Sequence, residues 1–185
     1  MPKYIIEHLE PELFEWCIAE YEEISKFVGK KNLIFTNIKK DPKQLSNFGD
    51  VKKDSISEIN LKNACVLDPD ASEELKSSDK FDFLIFGGIL GDHPPRKRTG
   101  EELSSKLNFP KRNLGNKQMS TDTAVKVAKL IVDGKKLSEI KFIDNPELEL
   151  ADGESVELPY RYILKDNKLL ISSKIIEILK REGEF

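Results

Sequence analysis

Cysteine and histidine are scarce in this 185-residue chain, with two of each. Cys17 and Cys65 lie far apart, as do His8 and His93. That spacing offers neither a disulfide framework nor a zinc site, so the expected setting is a reducing, cytoplasmic one. No apolar run approaches the ~20 residues that cross a bilayer. The opening Met-Pro-Lys-Tyr also lacks the charged region, apolar stretch and cleavage site of a signal peptide. No membrane association is therefore expected. Familiar site signatures are missing as well: there is no G-x-G-x-x-G, no phosphate loop and no G-x-S-x-G elbow. Repeats and low-complexity tracts are absent. Charge is not one-sided either. Thirty Lys and Arg stand against 33 Asp and Glu, leaving a net −3, so bulk electrostatics do not draw the chain to nucleic acid. The visible basic patch is Arg96-Lys97-Arg98 with Lys111-Arg112.

What is present centres on one stretch. Residues 81–86 form an apolar run broken only by Asp82, the pattern of a strand covered on both faces of a parallel sheet. Gly87, Gly88 and Gly91 follow at once. Glycines there let the backbone take positive φ or approach a ligand closely, although a plain tight turn uses the same residues. Ligands of open α/β sheets sit beyond the carboxyl ends of the strands. The polar, proline-stiffened tail 92–99 favours a site. His93 fits either a loop histidine bonded to backbone or an acid–base role.

The rest of the chain supplies a frame for that stretch. Residues 4–9, 32–37 and 64–67 read as further strands, and 41–63 as one or two short helices. A helix starting at Pro11 buries Leu13, Cys17, Tyr21, Ile24 and Val28 and stops at Gly29. A short helix is expected over 100–107. Another starts at Ser120 or Thr121, with Asp122 in its first turn, buries Ala124, Val127, Ala128 and Ile131, and ends at Gly134. Residues 114–123 lead into its N-terminus, where free N–H groups would favour ligand contacts; an ordinary loop with a cap fits equally. A strand over 141–143 follows. Beyond it, 154–164 reads as a single strand that turns at Asp166-Asn167 and returns over 169–171, an extra C-terminal hairpin. A last helix spans 173–181. The expected fold class is α/β, a mostly parallel sheet flanked by helices in a single domain over 1–185.

Two segments carry a family likeness: Phe86-Gly-Gly-Ile-Leu-Gly-Asp-His-Pro-Pro-Arg-Lys-Arg-Thr99 and Arg112-Asn-Leu-Gly-Asn-Lys-Gln-Met-Ser-Thr-Asp-Thr-Ala124. Cys65-Val-Leu-Asp-Pro69 and Glu154-Ser-Val-Glu-Leu-Pro-Tyr-Arg-Tyr-Ile163 add to it. The chain resembles a small SPOUT-class methyltransferase family. Its yeast member methylates an arginine of a small-subunit ribosomal protein, and its archaeal members have been regarded as RNA methyltransferases. The resemblance implies a SPOUT-like C-terminal trefoil knot, a topology that periodicity would not suggest. It also implies S-adenosylmethionine as cofactor, bent within the knot and held largely by backbone groups. Carried over by position, Leu67 and Asp68 form one wall of that site. Gly88, Ile89, Leu90 and Gly91 form the second, and Leu114, Gln118, Met119 and Thr121 the third. Arg98 is the candidate for the cofactor's carboxylate, which a guanidinium fork suits.

The reaction so implied is methyl transfer to an arginine of a basic, ribosomal protein, with RNA as the alternative acceptor. The protein is then a monomer or a knot-mediated homodimer. A guanidinium stays protonated at neutral pH, so its attacking nitrogen must shed a proton, and a nearby carboxylate would take it. Asp92 is the first candidate for that catalytic role, with Glu101, Glu7 and Asp122 behind it. No metal ligand set is expected.

Overall fold

Short apolar runs with both faces covered gather at the centre of a parallel sheet. The computed structural model describes residues 1–91, 98–151 and 154–182, and its sheet has six strands. They are β1 (Lys3–His8), β2 (Leu33–Thr36), β3 (Asp50–Val51), β4 (Ala64–Leu67), β5 (Phe83–Gly88) and β6 (Lys111–Arg112). All pair in parallel, in the order β3-β2-β1-β5-β4-β6. Alternation along the strands splits the core in two. Ile5, Ile34 and Ile85 face Ile56 and Leu103 on one side. Tyr4, Ile6, Leu84 and Phe86 face the helices α1 (Glu15–Val28) and α3 (Thr121–Val132) on the other. Between those helices in sequence lies the short α2 (Arg98–Glu102).

α1 starts four residues later than its proline suggests. The Glu12 carbonyl accepts the Phe14 N–H at 3.1 Å and the His8 Nε2–H at 3.2 Å. It therefore closes a local turn around Pro11, and Phe14, still extended, becomes the N-cap. Residues 41–63 hold two single 3₁₀ turns and, unexpectedly, the two-residue edge strand β3.

The connection from β4 to β5 encloses the chain that follows β6. Asp68 donates its N–H to the Arg112 carbonyl at 2.9 Å on one side of that chain. On the other side Asn113 donates to Glu73 O at 2.8 Å and accepts from Leu75 N at 3.0 Å. Residues 112–114 thus run between 68 and 73–75, through the loop that joins two adjacent strands. This is the threaded arrangement the resemblance implies. Once through, the chain turns at Gly115, whose φ of +93° only glycine adopts freely, and enters α3.

The C-terminal part differs from its expected layout. Residues 154–164 are two strands, not one. β9 (Glu154–Glu157) pairs with β8 (Glu147–Ala151), whereas β10 (Arg161–Lys165) pairs with β7 (Phe142–Asp144) and β11 (Lys168–Leu169). Pro159 supplies the break, since it has no N–H for a ladder. Asp166 and Asn167, at φ +50° and +58°, make the two-residue turn as expected. Leu158 and Tyr162 join Ile175 and Leu179 of α4 (Ser173–Glu182) against Ala19 of α1.

Candidate functional site

Three segments converge at the carboxyl end of the central strands and enclose a cavity of about 410 Å³, a volume typical of small-molecule sites (roughly 300–1,000 Å³). Its first wall is residues 67–70, the end of β4 and the turn beyond it. The second is Phe86, Gly87 and residues 89–91, with 98–100 of α2 alongside. The third is residues 114–119, with Thr121 and Ala124 of α3 as the floor. Leu67, Asp68, Ile89, Leu90, Gly91, Arg98, Leu114, Gln118, Met119 and Thr121, all anticipated from sequence, line this one cavity. Phe86, Gly87, Pro69, Asp70 and residues 115–117 line it too. They lie beside the anticipated residues in sequence, and that continuity was the available signal for them.

Gly88 is a correction. It does not line the cavity; with Gly87 it ends β5, pairing with His8 of β1. A Cβ there would lie 2.2 Å from Tyr21 Oη and 2.9 Å from Ile6 Cγ2, so core packing requires this glycine. Burial holds the His8 imidazole below its ordinary pKa, hence neutral. Its Nε2–H faces the Glu12 carbonyl, so Nδ1 accepts the Tyr21 O–H at 2.9 Å. Gly87, Gly88 and Gly91 all avoid positive φ; they provide space rather than unusual backbone angles.

The carboxylates separate clearly. Asp92 lies outside the described residues, as do His93, Arg96 and Lys97. Glu101 is exposed on α2 and off the cavity wall. Glu7 is 2% exposed and accepts from Thr36 Oγ1 at 2.5 Å, Ser55 Oγ at 2.6 Å and Ile56 N at 3.0 Å. It follows Ile5 and Ile6 along β1, so alternation turns it to the Ile5 face, away from the helices α1 and α3. There it anchors the connection after β3, which explains its burial without any catalytic role. Asp122 is 1% exposed, accepts from Ser120 Oγ at 2.6 Å and pairs with the fully buried Lys126 at 2.8 Å. The Ser120 hydroxyl is thereby drawn to Asp122, not to the helix N–H groups it was expected to cap. Among the described residues, the carboxylates on the cavity wall itself are Asp68 and Asp70.

Arg98 is also differently engaged than expected. Its Nη1 donates to Glu10 Oε1 at 2.9 Å and to Leu90 O at 3.3 Å, and its Nε donates to Glu102 Oε1 at 2.7 Å. Two carboxylates already surround the guanidinium, and their combined charge opposes the approach of a third.

Behind the floor, Glu20 is buried and accepts the Trp16 indole N–H at 3.1 Å. Burial, and then the nearby Asp122 charge, push its carboxyl up to about 8 from an ordinary 4.5. The folded protein therefore holds that proton more tightly than the unfolded chain does. The group's contribution to stability is complete below its ordinary pKa and is lost as pH rises towards about 8. Urea midpoints measured across that window are expected to fall for the wild type and to stay flatter for Glu20→Gln. Equal slopes would show that Glu20 ionises freely in the fold.

The third wall is braced from the C-terminal part. Arg161 donates its N–H to Gln118 O at 2.9 Å. Its guanidinium grips Asp144 through Nε at 2.6 Å and Nη2 at 3.0 Å, and lies 5.0 Å over the Phe142 ring. Gln118 Oε1 is buried and has no hydrogen-bond partner among the described residues.

A threaded parallel sheet with a cavity built from its loops defines a SPOUT-class methyltransferase fold. The dual-specific Trm10 of Thermococcus kodakaraensis shares it, with a TM-score of 0.57 over 75% of this chain and 96% of that one at 22% identity. Much closer is the yeast arginine methyltransferase SFM1. Its complex with SAM gives a TM-score of 0.89 at 38% identity, covering 98% of this chain and 91% of that one. Its complex with SAH gives 0.87 at 37%, covering 96% and 94%. By sequence, protein arginine N-methyltransferase SFM1 of Saccharomyces cerevisiae is 40% identical over 203 aligned positions, 98% of this chain and 95% of that protein. Residues 3–184 match the family described as protein arginine N-methyltransferase SFM1-like. The chain belongs to that family.

Proposed function

We propose that this protein transfers a methyl group from S-adenosylmethionine to an arginine side chain of a basic ribosomal protein in the cytoplasm. The observation that carries the reading is the three-walled cavity at the carboxyl end of the central strands, in a chain whose fold matches a relative solved with SAM over 98% of its length. When bound, the cofactor supplies a methyl group already activated on a sulfonium. Leu67, Asp68, Ile89, Leu90, Gly91, Leu114, Gln118, Met119 and Thr121 would hold it.

The chain then has two further tasks. It must keep the acceptor nitrogen in line with the donor, an effect worth up to ~7–11 kcal/mol. It must also receive the proton that the guanidinium sheds. Asp92 is our candidate for that proton, placed by sequence directly after the cavity-lining Gly91. The net charge of −3 favours a basic protein partner over RNA. Buried, unpaired Cys17 and Cys65 fit a reducing compartment, and among the described residues no helix is long and apolar enough to cross a membrane.

The test is incubation with methyl-labelled S-adenosylmethionine and either purified ribosomal proteins or naked ribosomal RNA. Label in an arginine of a protein is expected. Label in RNA alone would overturn the protein-acceptor reading.

A further inference from the structure

β5 ends at Gly88 beside His8, and the last backbone bond between the two strands is Leu9 N to Gly88 O at 3.1 Å. Beyond it the bend at 89–91 has left the ladder, yet the Leu90 backbone is held at both its N–H and its C=O. Glu10 Oε1 accepts the Leu90 N–H at 2.9 Å, and Arg98 Nη1 donates to the Leu90 carbonyl at 3.3 Å. The same Arg98 nitrogen bonds Glu10 at 2.9 Å, so the two side chains close around the backbone N–H and C=O of one residue. Glu102 fixes the guanidinium from its far side at 2.7 Å. The Glu10 side chain is only 10% exposed and the Arg98 side chain 20%, and charged groups that dry are retained where they are paired.

From this geometry we propose that Glu10, acting with Arg98, is a positioning residue for the methyl donor: the pair clamps the Leu90 backbone on both sides of its Cα and so fixes the cavity wall at 89–91. The inference rests on the reading that this wall receives the donor. Glu10 does not line the cavity; its effect is exerted through Leu90. The clamp pre-organises the wall, so ordering it does not have to be repeated on each binding event. It also gives Arg98 a different part from that of a ligand to the cofactor's carboxylate.

Calorimetric titrations with S-adenosylhomocysteine and with methylthioadenosine, which lacks the amino-acid carboxylate, test this on the full chain. Glu10→Ala and Arg98→Gln are each expected to weaken both ligands about tenfold, because the wall serves the whole molecule. Glu10→Gln keeps an acceptor for the Leu90 N–H and is expected to recover part of the loss. Should Glu10→Ala fail to fold in a urea titration, Glu10→Gln and Arg98→Lys decide, with a several-fold loss on both ligands expected. Affinities within twofold of wild type in the variants that fold would overturn the clamp. A loss confined to S-adenosylhomocysteine in Arg98→Gln would overturn it too, by showing a direct contact to the carboxylate. A wild-type chain that binds neither ligand would instead remove the donor-site reading itself.

Discussion

Lys126→Met is expected to lower the unfolding free energy by about 3–5 kcal/mol, the range for removing one partner of a buried ion pair. Lys126 is fully buried in α3, with its ammonium 2.8 Å from Asp122 and 3.3 Å from Glu23. Methionine fills nearly the same space but leaves the Asp122 carboxylate buried beside Glu20 and Glu23 with no cation. A domain of this size loses ~2–4 °C of Tm per kcal/mol, so a thermal melt should read a fall of roughly 6–20 °C. Adding Asp122→Asn removes the stranded charge, and the double variant is expected to regain much of the loss, since uncharged replacements of buried pairs are often tolerated. If Lys126→Met melted within a degree or two of wild type, the ammonium would not be what makes this cluster tolerable. The cluster matters to the site because Asp122 directly follows Thr121, and Thr121 is the cavity floor.

The sequence made β1, β2, β4 and β5 legible because their two-sided burial leaves apolar runs with no polar face, whereas the two-residue edge strands β3 and β6 carry no such run. The positions of Leu67, Leu90, Leu114 and Met119 in one cavity followed from family likeness, and periodicity alone offered only two loops of unknown proximity. The errors have particular causes. Gly88 looked like loop because a glycine in a strand is unusual; its reason is Tyr21, distant in sequence and adjacent in space. Pro11 looked like a helix start because proline favours that place, but the Glu12 carbonyl is spent on a turn. The alternating run 154–164 hid its own break at Pro159. Glu7 could not be recognised as structural from one sequence, since its partners Thr36, Ser55 and Ile56 come from later segments. Glu10 was equally invisible: it is one of 33 acidic residues, distinguished by bonds to a backbone amide at Leu90 and to Arg98, both distant in sequence.

Gly91→Val is expected to weaken S-adenosylhomocysteine binding on the order of 100-fold, about 2.7 kcal/mol, while leaving the urea midpoint close to wild type. Gly91 has no positive φ, so its backbone accepts a side chain and any effect comes from space. A Cβ there would stand 2.3 Å from Tyr160 Oη, 2.5 Å from Tyr160 Cζ and 2.8 Å from Gln118 Nε2. Those distances are far inside van der Waals contact, so the tyrosine ring and the carboxamide must both move. Gln118 belongs to the third wall, and its displacement deforms the surface against which the donor would lie. The second and third walls therefore touch through Gly91, and their approach is what closes the cavity. Because Gly91 is exposed at the rim and not in the core, the cost falls on binding rather than folding. Calorimetry on the purified variant decides the matter: wild-type affinity would mean that the donor does not bind between these walls.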